Sequence, residues 1–220
     1  MWVRNSPAST NSLGELDEQW EIEAAQHSEV LLRQLQNGAA KGSFAVAALA
    51  LERTMPVYRD LMESKDVARK HQGKFYVSHK AIWQWIREDI EIKSDLLDEV
   101  KFGFVLQLGD PLSAVYHAFS EQARELVKQI VAGRPHPILY PVVNSFDVIR
   151  AFVSARLKDG ETQQNSEAVG IELLEAESTR QTADANRLVK AGTSKEVTSE
   201  LYERAKGVSI LGSQRFPGLV

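Results

Sequence analysis

The sequence predicts an all-α fold, an irregular multi-helix bundle of about seven or eight helices with extended arms at both ends. Three observations lead there. Almost every segment repeats its apolar residues at i, i+3, i+4 and i+7, the period of a helix with one buried side. Only "KFYVS" (74–78) and "ILYPVV" (138–143) have strand character, and two short isolated runs do not make a sheet. No repeat of solenoid period breaks the pattern.

The elements read in order as follows. The opening "MWVRNSPASTNSLG" has one arginine and no apolar stretch, so it is not a secretory signal. Residues 1–13 read as a flexible tail. Residues 14–158 read as the helical core domain. Its first helix, 14–36, starts acidic ("ELDE"), which suits the positive end of a helix dipole, and sets Trp20, Ala24, Leu31 and Leu35 on one side. Asn37-Gly38 stops it. "FAVAALAL" (44–51) is apolar all round and should be central core. It is also the longest apolar run, far short of the roughly 20 residues a membrane span needs. The pattern continues through Met55, Tyr58 and Met62, with Pro56 expected to kink or restart the helix. Ser78 is a good N-cap for a helix to about Ile92, and Ser94 can open a short one after it. Asp110 and Pro111 suit the N-cap and first position of a strong helix that Gly133 ends. "RPHPILYP" is too proline-rich for helix and reads as an extended connection. Asn144 or Ser145 caps a helix bearing Phe146, Ile149, Phe152, Val153 and Leu157, stopped by Asp159-Gly160.

Residues 159–220 differ in composition. "DGETQQNS" is linker-like, and the helix opening at Ser166 has a middle, "AESTRQTADANR", that is polar on every face. Such a helix is not expected to lie flat on a core. Thr193 with Glu196 makes a capping box for a last short helix carrying Val197, Leu201 and Ala205. The tail "VSILGSQRFPGLV" is apolar again. Ile210, Leu211, Phe216 and Leu219 therefore read as a docking arm, received either by this chain or by a neighbouring copy.

Composition removes several chemistries. The chain has 220 residues, enough to bury roughly 70% of its unfolded surface. It is 43% hydrophobic and 25% charged, ordinary for a globular protein in water. It has no cysteine, so disulfides, thiolate nucleophiles and cysteine-ligated metals are excluded. There is no Gly-rich phosphate loop and no nucleophile elbow. His27, His71, His79, His117 and His136 show no metal-binding spacing. The acids Glu88, Asp89, Glu91, Asp95, Asp98 and Glu99 could serve acid–base or Mg²⁺ chemistry, but solvated faces or helix N-termini explain them more simply. No enzyme, cofactor, metal or small-molecule substrate is expected. The expected setting is a cytosol or a virion, neither secreted nor membrane-bound.

The net charge is −4, which argues against indiscriminate nucleic-acid binding, but the charge is unevenly spread. Residues 64–87 carry Lys65, Arg69, Lys70, Lys74, Lys80 and Arg87 against Asp66 alone, a net +5 between flanks of −4 each (1–63 and 88–101). Ile82, Trp85 and Ile86 form an apolar side there, and Lys80, Gln84 and Arg87 a polar stripe opposite. Gln and Arg can pair with base edges and Lys can reach phosphate. Lys65, Arg69, Lys70, Lys74, His79, Lys80, Gln84 and Arg87 are thus the candidate nucleic-acid residues.

Within the same stretch, "VYRDLMES" followed by "GKFYVSHKAIWQWI" resembles the helix-turn-helix of insertion-sequence transposases. The matching residues are Tyr58, Arg59, Asp60, Leu61, Gly73, Val77, Ser78, His79, Ile82, Trp85 and Ile86. The resemblance implies a recognition helix over 79–87. Two functions are therefore expected. One is a non-enzymatic, self-assembling structural subunit, virion- or nucleoprotein-like, touching nucleic acid or an acidic neighbour through 65–87. The other is a helix-turn-helix DNA-binding regulator or recombination accessory protein.

Overall fold

The computed structural model describes residues 13–36, 40–64, 69–99, 122–134 and 140–217. Seven helices are assigned among them: α1 (Leu13–Leu35), α2 (Ala40–Ser64), α3 (Arg69–Glu88), α4 (Leu96–Glu99), α5 (Tyr140–Lys158), α6 (Gln163–Ala191) and α7 (Lys195–Lys206). Residues 122–131 are also helical, and the described residues contain no strand. The fold is an all-α bundle, as the periodicity predicts. None of the described helices is long and apolar enough to cross a membrane.

The bundle is built around α2. Every residue from Gly42 to Met55 is buried, and α2 packs against α1, α3, α5, α6 and α7. A helix with no exposed side over that length needs neighbours all round it. Pro56 neither ends nor restarts α2. Its ring removes one donor to the turn before, where the Thr54 hydroxyl donates to the Leu51 carbonyl at 2.7 Å.

Several local expectations are revised. "KFYVS" lies inside α3, which runs unbroken from Arg69, so Ser78 is a buried mid-helix residue and not an N-cap. Helical period in the buried set Ser78, His79, Ile82, Trp83 and Ile86, all on one side, overrides the β-propensity of Tyr76 and Val77. α3 ends at Glu88; Asp89 follows with φ 56°, and the Ile90 N–H reaches back to the Gln84 carbonyl, six positions earlier, at 3.5 Å. Asp89 also pairs with Lys41 of α2. α5 starts at Tyr140, earlier than Asn144, because Pro141 is tolerated in a first turn. Ser145 is then interior, its hydroxyl donating to the Val142 carbonyl at 2.6 Å. Thr162, not Ser166, caps α6, and Ser194, one residue beyond Thr193, caps α7. The expected start of a helix at Asp110 and Pro111 lies outside the described residues. Its end is seen: Gly133 has φ 62° and its N–H bonds the Ile130 carbonyl.

The largest revision concerns α6. It packs against α1, α2 and α5 and buries Ser166, Gly170, Leu174, Glu177, Gln181, Asp184, Ala185 and Leu188. From 170 to 188 the buried stripe advances by alternate fours and threes, the spacing of a packed seam, although three of its members are polar. The C-terminal segment is also part of this chain's own core. Ile210, Leu211 and Phe216 are buried, the Ile210 N–H donates to the Arg53 carbonyl at 2.8 Å, and Phe216 meets Phe152 with ring centroids 5.8 Å apart. For these three residues the receiving surface is within the same chain. Leu219 lies outside the described residues.

Candidate nucleic-acid interface

The candidate residues of the basic segment divide into two groups. His79 and Arg87 are drawn into the fold. His79 is 8% exposed, with Nε2 2.5 Å from the buried Glu52 Oε2 of α2, and the Trp83 indole N–H points at the same nitrogen from 3.2 Å. One ring nitrogen cannot both give a proton to the carboxylate and receive one from the indole. The shorter contact to a charged acceptor is the stronger, so Nε2–H donates to Glu52. Arg87 donates from Nε to the Ser199 hydroxyl at 3.1 Å and stacks over the Tyr202 ring at 5.2 Å, both on α7. Burial and the Glu52 carboxylate hold the Tyr202 phenol above its usual range.

Lys80 is exposed and Gln84 half-buried. Tyr76 and Val77 are exposed beside Lys80, at 41% and 45%. In the register of α3, positions 73, 77, 80 and 84 lie opposite the buried set 78, 79, 82, 83 and 86. Arg69, Lys70 and Lys74 belong to the same helix, but their side chains, like Lys65 as a whole, lie outside the described residues. The stripe drawn from sequence as Lys80, Gln84 and Arg87 is therefore shorter at its C-terminal end. Of the two tryptophans, Trp83 is buried against Tyr202 and Trp85 meets Phe44 edge-on at 5.2 Å, with the Lys41 ammonium 5.5 Å from its ring. Both are packing residues. Glu88, Asp89, Glu91 and Asp95 are exposed acids, and the described residues hold no group of three His, Asp or Glu arranged to bind a metal.

A second polar cluster, unforeseen from the sequence, lies in the core. Arg53 of α2 is 2% exposed; its Nε is 3.0 Å from both carboxylate oxygens of Glu177, and its Nη1 donates to Asp184 Oδ2 at 2.7 Å. Nη2 sits 2.9 Å from Glu177 Oε1 without hydrogen-bond alignment, so that contact is coulombic. Burial alone would lower the Arg53 pKa, but the two carboxylates outweigh it and raise it. Arg204 of α7 closes the other side of Asp184. Gln181 donates from Nε2 to Ser145 Oγ at 2.9 Å and to Glu177 Oε1 at 3.0 Å. Only its Oε1 is left to accept, and His27 Nε2 lies 2.9 Å away, so His27 is the donor. Five helices thus meet on one charge-balanced network. The sequence signal was available as the four–three spacing of Gly170, Leu174, Glu177, Gln181, Asp184 and Leu188, once polarity is disregarded.

His27 gives this network a pH dependence. Burial holds its pKa below the ordinary 6.5, against the opposing pull of its bond to Gln181. The unfolded chain therefore takes up a proton before the folded one does. The contribution is intact above about pH 6.5 and is lost as pH falls from there through the lower folded value. We expect the urea midpoint to drop between about pH 7.5 and 5.5, and the drop to shrink in His27→Gln. An equal drop in the variant would assign it to other groups.

No protein-family model, no curated protein and no solved structure matches this chain.

Proposed function

We propose that the protein is a non-enzymatic, α-helical self-assembling subunit that meets nucleic acid through the outward side of α3. The observation that carries this is the exposed group Tyr76, Val77 and Lys80, on a helix that also carries Arg69, Lys70 and Lys74 and is anchored to the body by its opposite side. An aromatic ring among cations suits a polyanion whose bases can stack. A non-enzymatic role is supported by the buried ionisable groups Glu52, Arg53, His79, Glu177 and Asp184, each of which has a partner in the fold.

A helix-turn-helix regulator remains a second proposal, favoured by α3 following α2 after a short connection and touching it. In that case α3 as a whole would be the reading helix, longer at its start than the 79–87 that the resemblance implies.

Salt dependence tests both. Arg69, Lys70, Lys74 and Lys80 imply up to about four phosphate contacts, hence a slope of roughly −3 to −4 in log K against log salt. Lys80→Glu should lower the slope by about one, while Arg87→Gln should leave it unchanged and reduce stability. A strong preference for one duplex sequence would favour the regulator. No binding at low salt removes both readings.

A further inference from the structure

We propose that the outward side of α3 takes single-stranded nucleic acid, with Tyr76 as the ring on which a base stacks and Lys80 beside it on the backbone phosphate. This rests on the nucleic-acid half of the reading above and names the form of the ligand.

The exposure of Tyr76 is the first ground. Every other described aromatic side chain is buried or half-buried, whereas Tyr76 is 41% exposed, with Val77 at 45% next to it. Residues four apart are neighbours on a helix surface, so the exposed Lys80 can reach a phosphate of a strand whose base lies on the ring. A long helical side chain leans toward the N-terminus over the turn before it. For Tyr76 that turn holds Gly73, which has no side chain to cover the ring. Positions 69, 73, 76 and 80 fall on one line of α3, about 16 Å long. Arg69 to Arg87 contains no carboxylate, so no acid of that stretch opposes a polyanion. The exposed Glu88 and Asp89 close the far end to one.

The second ground is what α3 does not present. Duplex sequence is read by side chains that meet base edges in a groove. The two residues of α3 best suited to that are withdrawn: Arg87 is held by Ser199 and Tyr202, and Gln84 is half-buried. Between 76 and 87, Lys80 is the only exposed polar side chain. A ring, an apolar neighbour and cations remain, the set that holds single strands without base-edge contacts. A duplex keeps its base faces in the stack, and a single strand offers them.

Charge density makes the test direct. A duplex carries the denser charge, so electrostatics alone would favour it. The full chain is titrated at low salt into a labelled oligothymidylate of about 20 nucleotides, and into its duplex with oligoadenylate, with anisotropy as the readout. The single strand should bind tighter, with a slope of about −3 in log K against log salt if Arg69, Lys70, Lys74 and Lys80 all reach phosphates. Tyr76→Ala should weaken that binding about tenfold and leave the slope unchanged. Tyr76→Phe, which keeps the ring, should bind as the wild type does. An abasic strand of the same length should not distinguish Tyr76→Ala from the wild type. Tighter binding to the duplex, an unaffected Tyr76→Ala, or an equal loss in Tyr76→Phe overturns the single-strand assignment and leaves charge-driven contact by α3 standing. Absence of binding to either probe overturns both.

Discussion

Replacing Arg53 with methionine is expected to cost about 3–5 kcal/mol of folding stability, the largest loss among the polar residues of this protein. The reason is what stays behind. Glu177 and Asp184 are 0% and 2% exposed, and without the guanidinium two carboxylates share one dry site. Arg204 still reaches Asp184, and Arg180 lies 3.7 Å from Glu177, but both approach from the partly exposed side and neither replaces Nε and Nη1. Methionine keeps the volume of the side-chain stem, so little of the loss comes from a cavity. The discriminating variant is the triple Arg53→Met, Glu177→Leu, Asp184→Leu. Replacing a whole buried ionic cluster by apolar residues is often neutral or stabilising, by about 1–4 kcal/mol. Urea unfolding should therefore rank the triple variant well above the single one. If the single variant lost less than about 1 kcal/mol, the cluster would be solvated in the folded chain and its role as a core tie would fail.

That cluster marks where sequence reading stopped. The apolar helices were legible because burial and hydrophobicity coincide in them: 44–51, the helically spaced Ala123, Leu126, Val127 and Ile130, and the Phe146, Ile149, Phe152 set all fall in the core. α6 was misread because its buried stripe is written partly in Glu, Gln and Asp, which an apolar-face criterion scores as solvent. The partner that makes their burial tolerable, Arg53, is more than 100 residues earlier in the chain. Likewise the basic segment was visible as a charge run, but charge alone could not separate Lys80, which faces water, from Arg87 and His79, which α7 and α2 hold. Such choices are made by tertiary neighbours. The apolar tail posed the same question of receiver, and here hydrophobicity was right about docking and silent about the surface.

Gly170→Ala is the second large effect, and its sign runs against propensity. In an exposed helix interior the change would add about 1 kcal/mol of stability. At 170 a β-carbon would stand 2.6 Å from Val153 Cγ2 and 2.9 Å from Trp20 Cη2, both side chains being buried. The indole cannot fold away, because it is a rigid ring wedged between α1 and α6, and Val153 has one strongly preferred rotamer in a helix. Overpacking of this kind costs about 1–3 kcal/mol, so a net loss of about 1–2 kcal/mol is expected for alanine, and about 3 kcal/mol or more for Gly170→Val. The close approach also explains how α6 sits on the core with so few apolar residues: at Gly170 backbone takes the place of a side chain and lets α1 and α5 come near. A double-mutant cycle separates this account from a general weakening of α6. Val153→Ala removes the nearer clash, so Gly170→Ala should cost about 1 kcal/mol less in that background than alone. Strict additivity of the two losses would mean that the three helices do not meet at residue 170.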